Sequence, residues 1–145
     1  MADYSLTSAS VAFSSAAVFI PVTLGATIAG AGQTLYRDTA DLDSKGNGKV
    51  KLFDANAASP AFVLAGISTG AGVAGQPGWM CVSDPVYTHG LAAVTKGDLI
   101  IGSATAGGLA PSGDLASGWY GNVVMAAISS TTAVLGPFLI NTAAK

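Results

Sequence analysis

His89 is the only histidine in the chain, and with Cys81 and Asp84 it is the nearest the sequence comes to a reactive set. Such residues could serve as a thiol nucleophile with its base, or as part of a zinc site. A zinc site uses four good ligands, usually in paired spacings, and no second pair is present. A nucleophile–base pair also needs an orienting group and donors for an oxyanion, and the chain offers no pattern for either. Cys81 lies in the apolar run Trp79-Met-Cys-Val82 and His89 precedes Gly90, so the spacing reads as a strand followed by a turn.

Two further patterns imitate binding motifs. Gly70-Ala-Gly72-Val-Ala-Gly75 matches G-x-G-x-x-G, yet a dinucleotide site needs a helix to open there, and Gln76-Pro77-Gly78 ends one within a turn. Asp41-Leu-Asp43-Ser-Lys45 begins like a calcium loop, but Lys45 occupies the third ligand position and Leu52 the twelfth, where a bidentate Glu belongs. A looser cation site of Asp38, Asp41 and Asp43 competes poorly with a solvated turn. All eight acidic residues are Asp, scattered and without Glu, which leaves little general acid–base machinery. The expectation is therefore a protein that is not an enzyme, with no catalytic residues, no cofactor and no metal. Trp79, Trp119 and Tyr120 could stack on sugar rings, although such side chains more often anchor a core or an interface.

The elements that would position these residues are strands. The filler residues are Gly, Ala, Ser, Thr and Val, where helical surfaces use Glu, Lys, Arg and Gln. Nineteen Gly and six Pro, spread along the chain, leave no window for a long amphipathic helix. Lys49–Phe53 alternates polar and apolar, as a half-buried strand does, after an Asn47-Gly48 turn. Ala61–Ile67 reads as a buried strand, and Trp79–Val82, Asp98–Ile101, Trp119–Ile128 and Thr131–Ile140 as further ones. Turns are expected at Gly30–Gln33, Gly75–Gly78, Thr105–Gly108 and Pro111–Gly113. Residues 54–60 have room for one short helical turn. These features predict an all-β fold, a small β-barrel or β-sandwich domain with an extended N-terminal arm and at most one short helix. Residues 1–30 form the arm, with strand content at Val11–Phe13 and Val18–Val22, and residues 31–145 form a single β domain. The arm is expected to be dispensable for folding.

Charge narrows the partners. Only 10% of residues are charged, and the net charge is −2. The densest basic stretch, Lys45, Lys49 and Lys51, is interleaved with Asp41, Asp43 and Asp54, so no positive face exists for phosphates and no nucleic acid is expected. Tyr4 to Tyr36 carries no charge and is long enough to cross a bilayer, but Ser14, Ser15, Pro21, Thr23, Gly25, Thr27 and Gly30 interrupt it. No membrane partner is expected. The single Cys81 excludes an internal disulfide and fits a reducing place of synthesis. A surface so poor in charge suits a chain that hides it in an assembly.

Three stretches resemble the head decoration, or capsid cement, proteins of tailed bacteriophages: Thr23–Asp38, Ala65–Ile67 with Ala74–Pro77, and Ser103–Pro111 continuing through Asp114–Tyr120. The resemblance covers most of residues 23–145, and its motifs form turns. It implies a β domain, usually trimeric, seated on the outer surface of the mature capsid. The implied partners are the major capsid protein and other copies of the chain, after synthesis in the host bacterial cytoplasm. Expected contact residues are Val11, Phe13, Val18, Phe19, Ile20 and Val22 of the arm, with Tyr36, Trp119 and Tyr120. The alternatives are a head-fibre or tail structural protein, and a β-rich carbohydrate-binding or adhesion module.

Overall fold

Successive apolar residues in this chain take opposite sides of one sheet. The pairs Leu35/Tyr36, Met80/Cys81, Ile100/Ile101 and Val123/Val124 are all buried, and in each pair one residue belongs to a different apolar cluster from its neighbour. Side chains alternate along a strand, so both faces must be covered. The structure is a computed structural model that describes residues 11–55, 64–114 and 120–143, with the backbone alone for 120–122 and 137–143.

The strands are β1 (Val18–Thr23), β2 (Thr34–Leu42), β3 (Gly48–Leu52), β4 (Leu64–Ser68), β5 (Pro77–Thr88), β6 (Leu99–Gly102), β7 (Leu109–Pro111), β8 (Tyr120–Ala127) and β9 (Thr132–Ala143). They form one antiparallel sheet in the order β3-β2-β4-β5-β9-β8-β6-β7, with β1 also paired to β5, curled into a half-barrel. The all-β expectation holds, and the helical content among the described residues is a single 3-10 turn at Ser112–Asp114. No described helix is long and apolar enough to cross a membrane.

β5 is the spine. Its first half, up to Ser83, pairs with β1 and β4, and its second half, from Asp84, pairs with β9. The register breaks between Asp84 and Tyr87, where Pro85 sits, so the residue that cannot donate falls in the irregularity. The main core lies where the two halves face each other and contains Phe53, Leu64, Ile67, Cys81, Tyr87, Ile100, Val124, Met125 and Leu135. A second core of Val22, Leu24, Ile28, Leu35, Val50 and Met80 covers the other face of the first half. Ile101, Ala110 and Val123 form a smaller cluster in the second half. At Gly102 a side chain would collide with the Phe53 ring, so this glycine lets that core aromatic lie against the backbone.

The stretch expected to be an arm supplies an integral strand in its described part. Residues 18–23 pair with β5, Val22 and Ile28 enter the second core, and Phe13 packs on Tyr87 at 5.2 Å between ring centroids. Ala12 bridges Thr88, and Ser14 donates to the buried Asp84 carboxylate through both its amide, at 2.9 Å, and its hydroxyl. The described part of this stretch thus packs as part of the domain's own cores.

Other boundaries also differ from the sequence reading. β2 runs on through Asp38–Leu42, because its carboxylates pair with lysines on β3. The β2–β3 turn occupies Asp43–Asn47: Gly46 takes the positive φ of 81°, and Asp43 accepts the amides of Lys45 and Asn47 at 2.8 and 2.9 Å. Gly48 belongs to β3, and a Cβ there would lie 2.6 Å from the Asp38 carbonyl oxygen. Pro77 and Gly78 open β5 where a turn was expected. Of the run Ala61–Ile67, Leu64–Ile67 lie in β4 and 61–63 fall outside the described residues, as do residues 56–60 of the expected helical turn.

Candidate functional site

The residues that looked reactive are each occupied structurally. Cys81 is fully buried between β1 and β4, its thiol donates to the Ser83 carbonyl at 3.4 Å, and burial pushes its pKa up to about 11. Such a thiol carries little thiolate near neutral pH and reacts slowly. Asp84, on the same strand, accepts from Ser14 and from the Val86 amide at 3.0 Å. His89 is also fully buried; its Nδ1 accepts the Leu91 amide at 3.0 Å, while Nε2 has no hydrogen-bond partner among the described residues. Because Nδ1 accepts, the proton sits on Nε2 and the ring is neutral. Burial is also what lowers the pKa of this imidazole.

The false motifs resolve in the same way. Ile28 and Gly72 exchange backbone hydrogen bonds of 2.9 Å, and Gly75 takes a φ of 88° in the turn before β5, so the glycine run laces a loop to the second core. Asp41 pairs with Lys49 at 2.9 Å and with Lys51 at 3.0 Å, and Asp38 pairs with Lys51 at 2.8 Å. These lysine bonds lower both carboxyl pKa values and raise that of Lys51. Asp43 is held low chiefly by the Asn47 amide. Among the described residues no group of His, Cys and Asp is placed to hold a metal ion.

The turn motifs meet at one corner. Gln33 is buried and uses Oε1 to accept the Ala29 amide, while its backbone amide donates to Ser68 Oγ, which donates in turn to the Gly30 carbonyl. Across from it, Thr34 donates its amide to Gly107 and its hydroxyl to the Gly108 carbonyl, and Gly107 donates to Phe53. The stretches around Gly30–Gln33 and Ser103–Gly108 thus brace each other and the start of β2. Sequence reading placed both turns but did not find the latch of Gln33 and Ser68, because a buried Gln and Ser look like ordinary loop residues until their partners are known.

The expected contact residues divide into three groups. Val22 and Tyr36 are buried in this chain's own cores. Val11 and Phe13 are half-buried against the main core, and Ile20 against the second. Val18 and Phe19 are exposed. Trp119 lies outside the described residues, and for Tyr120 only the backbone at the start of β8 is described.

One surface does gather aromatic residues. Phe19 and Trp79 are 41% and 58% exposed, and with Thr69 they line an open apolar hollow of about 480 Å³. Registry explains this. Pro21 lies opposite Trp79, Phe19 opposite Cys81, and Cys81 opposite Ile67, so Phe19, Trp79 and Thr69 continue the core-facing side of the sheet. The main core covers Cys81 and Ile67 and ends before Trp79. The edge strand beside the hollow is blunted. Leu24 donates to Gln76, so by alternation Val22 and Ile20 also face β5, and the Pro21 nitrogen, which has no hydrogen, faces outward.

Fold and surface together describe an all-β half-barrel whose polar side chains brace turns and whose exposed rings form one hollow. Comparison with protein-family models, with curated proteins and with solved structures matches the chain to none.

Proposed function

We propose that the chain is a structural virion protein that binds the outer surface of a mature tailed-phage capsid as an oligomer, a trimer on the family pattern, and stabilises the capsomer lattice. The reading rests on the resemblance of the stretches around Thr23–Asp38 and Ser103–Tyr120 to the head decoration proteins. One observation supports it most. The residues that carry that resemblance, Gln33 with Thr34 and Gly107 with Gly108, form a single bracing corner of the fold. Polar groups spent on rigidity, apolar residues on both sheet faces and only 10% charge suit a protein whose task is burial against neighbours.

A protein that binds only the expanded lattice stabilises that state by mass action, without any reactive side chain. The partners are then the major capsid protein and other copies of this chain. The experiment mixes purified protein with expanded, undecorated capsids and images the particles. Ordered additional density on the outer shell is expected. A bare shell at saturating protein overturns the reading, and label on a fibre or tail moves the protein there.

A further inference from the structure

The segment that joins β5 to β6, residues 89–98, is tied at both ends and held lightly between them. The His89 amide donates to the Thr131 carbonyl at 3.0 Å and the Gly97 amide to the Ala127 carbonyl at 2.8 Å, so the β8–β9 hairpin fixes the ends. Across residues 90–94, the backbone hydrogen bond found among the described residues runs from the Leu91 amide to His89 Nδ1, at 3.0 Å. Side chains complete the attachment: Val94 is buried in the main core and Leu91 packs against it. Two features of this closed loop are unfavourable. Ala93 takes a φ of 58°, in the left-handed region that residues with a Cβ rarely occupy, between Gly90 at 69° and Gly97 at 94°. His89 is fully buried, yet its Nε2 finds no hydrogen-bond partner among the described residues.

Acid acts on the Leu91 bond directly. Nδ1 accepts a hydrogen bond while the imidazole is neutral, whereas the imidazolium donates from both nitrogens. Protonation sets the Nδ1 hydrogen against the Leu91 N–H and leaves a charge in a buried place, which burial already opposes in this ring. The ionisable groups on the surrounding elements do not offset that charge. They are Asp84 and Tyr87 on β5, with Lys96 and Asp98 in the loop; the described stretches 11–17 and 123–135 contain none. Asp84 is engaged by Ser14, Asp98 accepts from Thr95, Lys96 is exposed, and Tyr87 lies in the main core. A protonated ring is therefore better placed in water than in the closed loop.

We infer that residues 90–97 form an acid-released flap, latched by the bond from the Leu91 amide to His89 Nδ1. Protonation of His89 breaks the latch, and the loop swings out about Gly90 and Gly97 while the sheet stays paired. The ladders on either side end at Thr88, opposite Thr132, and at Leu99, opposite Ala126, so opening costs the sheet none of its pairs. In the open form Ala93 leaves its strained backbone, and Leu91 and Val94 come off the main core. The device is independent of what the outer surface binds.

Amide hydrogen exchange followed by NMR tests it, with rates corrected for the intrinsic effect of pH. Between about pH 8 and about pH 4.5, protection of the Leu91 amide is expected to fall at least about tenfold. The Phe53 and Ala127 amides, bonded to the Thr34 and Asp98 carbonyls, are expected to keep theirs. The Leu91 amide shift should change with the same midpoint as the Cε1 proton of His89. His89→Gln, whose Oε1 can accept the Leu91 amide at every pH, is expected to stay protected there throughout. Leu91 protection that does not change overturns the inference. So does protection lost together with that of Phe53 and Ala127, because the loop then opens only with the whole fold. Midpoints more than about one pH unit apart, or a fall that persists in His89→Gln, remove His89 as the latch. Should His89→Gln fail to fold, the wild-type protection and midpoints decide the question alone.

Discussion

The two halves of the sheet solve the same problem with different chemistry. The first half, β1–β4 with the start of β5, has a core on each face and settles its polar surface with ions: Asp38 and Asp41 against Lys49 and Lys51 across β2 and β3. The second half, β6–β9 with the end of β5, has no ion pair among its described residues. There Ser129 Oγ accepts the amides of Thr131 and Thr132 at the β8–β9 turn, and the Asp98 carboxylate accepts the amide and hydroxyl of Thr95. Low charge is thus a property of one half more than of the whole chain. The exposed rings belong to the half that already has two cores, which is why an apolar row there can run out from under its cover.

The comparison can be broken first by removing the strand that makes the first half two-sided. Deleting residues 1–22 takes away most of β1, Phe13 and the Ser14 partners of Asp84. The loss should exceed about 4 kcal/mol and abolish cooperative unfolding by circular dichroism. A deletion variant that melts like the full chain would restore the arm.

Next, Phe53→Ala opens the core shared by both halves and should cost about 3–5 kcal/mol in urea unfolding, whereas Ile101→Ala, in the small cluster of the second half, should cost about 2 kcal/mol. Equal losses would mean that the two clusters are not distinct in energy. Asp84→Ala leaves the Ser14 and Val86 amides without their acceptor and should cost about 2 kcal/mol, measured the same way.

Acid provides a fourth test. Burial lowers the folded pKa of His89 below its unfolded value near 6.5, so the unfolded chain takes up the proton first. Its contribution to stability is complete above that pH and falls as pH drops through it toward the folded pKa. Protonation also gives Nδ1 a hydrogen and turns the Leu91 bond into two opposed donors. His89→Gln should flatten the slope of stability against pH in this window, and an unchanged slope would remove His89 from the account. The smallest effect is expected from Lys51→Ala, because its ion pairs lie at the surface and salt screens them. A thermal shift within error at moderate salt is the expected result.

Much of this fold could be read from the sequence. The strands β4, β6, β8 and β9 follow from apolar runs between glycine-rich turns, and the failure of the glycine and calcium motifs follows from Pro77, Lys45 and Leu52. What was missed depended on partners distant in sequence. Asp38–Leu42 looks like loop until Lys49 and Lys51 are placed across from it. β5 looks broken at Pro77 and Pro85 because periodicity does not show which way a backbone nitrogen points. The hollow is half legible: the sequence offers Trp79 as an aromatic able to stack on a ring, but Phe19 and Thr69 reach it only through the pairing of β1 and β4 with β5.

That arrangement of β5 also has a mechanical consequence. β1, near the start of the chain, and β9, near its end, both run antiparallel to β5, with Val18 opposite Ser83 and Thr132 opposite Thr88. Tension applied between these two strands along their length pulls them in opposite directions past the same central strand. Ladder hydrogen bonds lie across the strands, so such a pull loads many of them in shear at once instead of unzipping them singly. The strand that joins the two halves is therefore also the element on which the domain would resist being stretched.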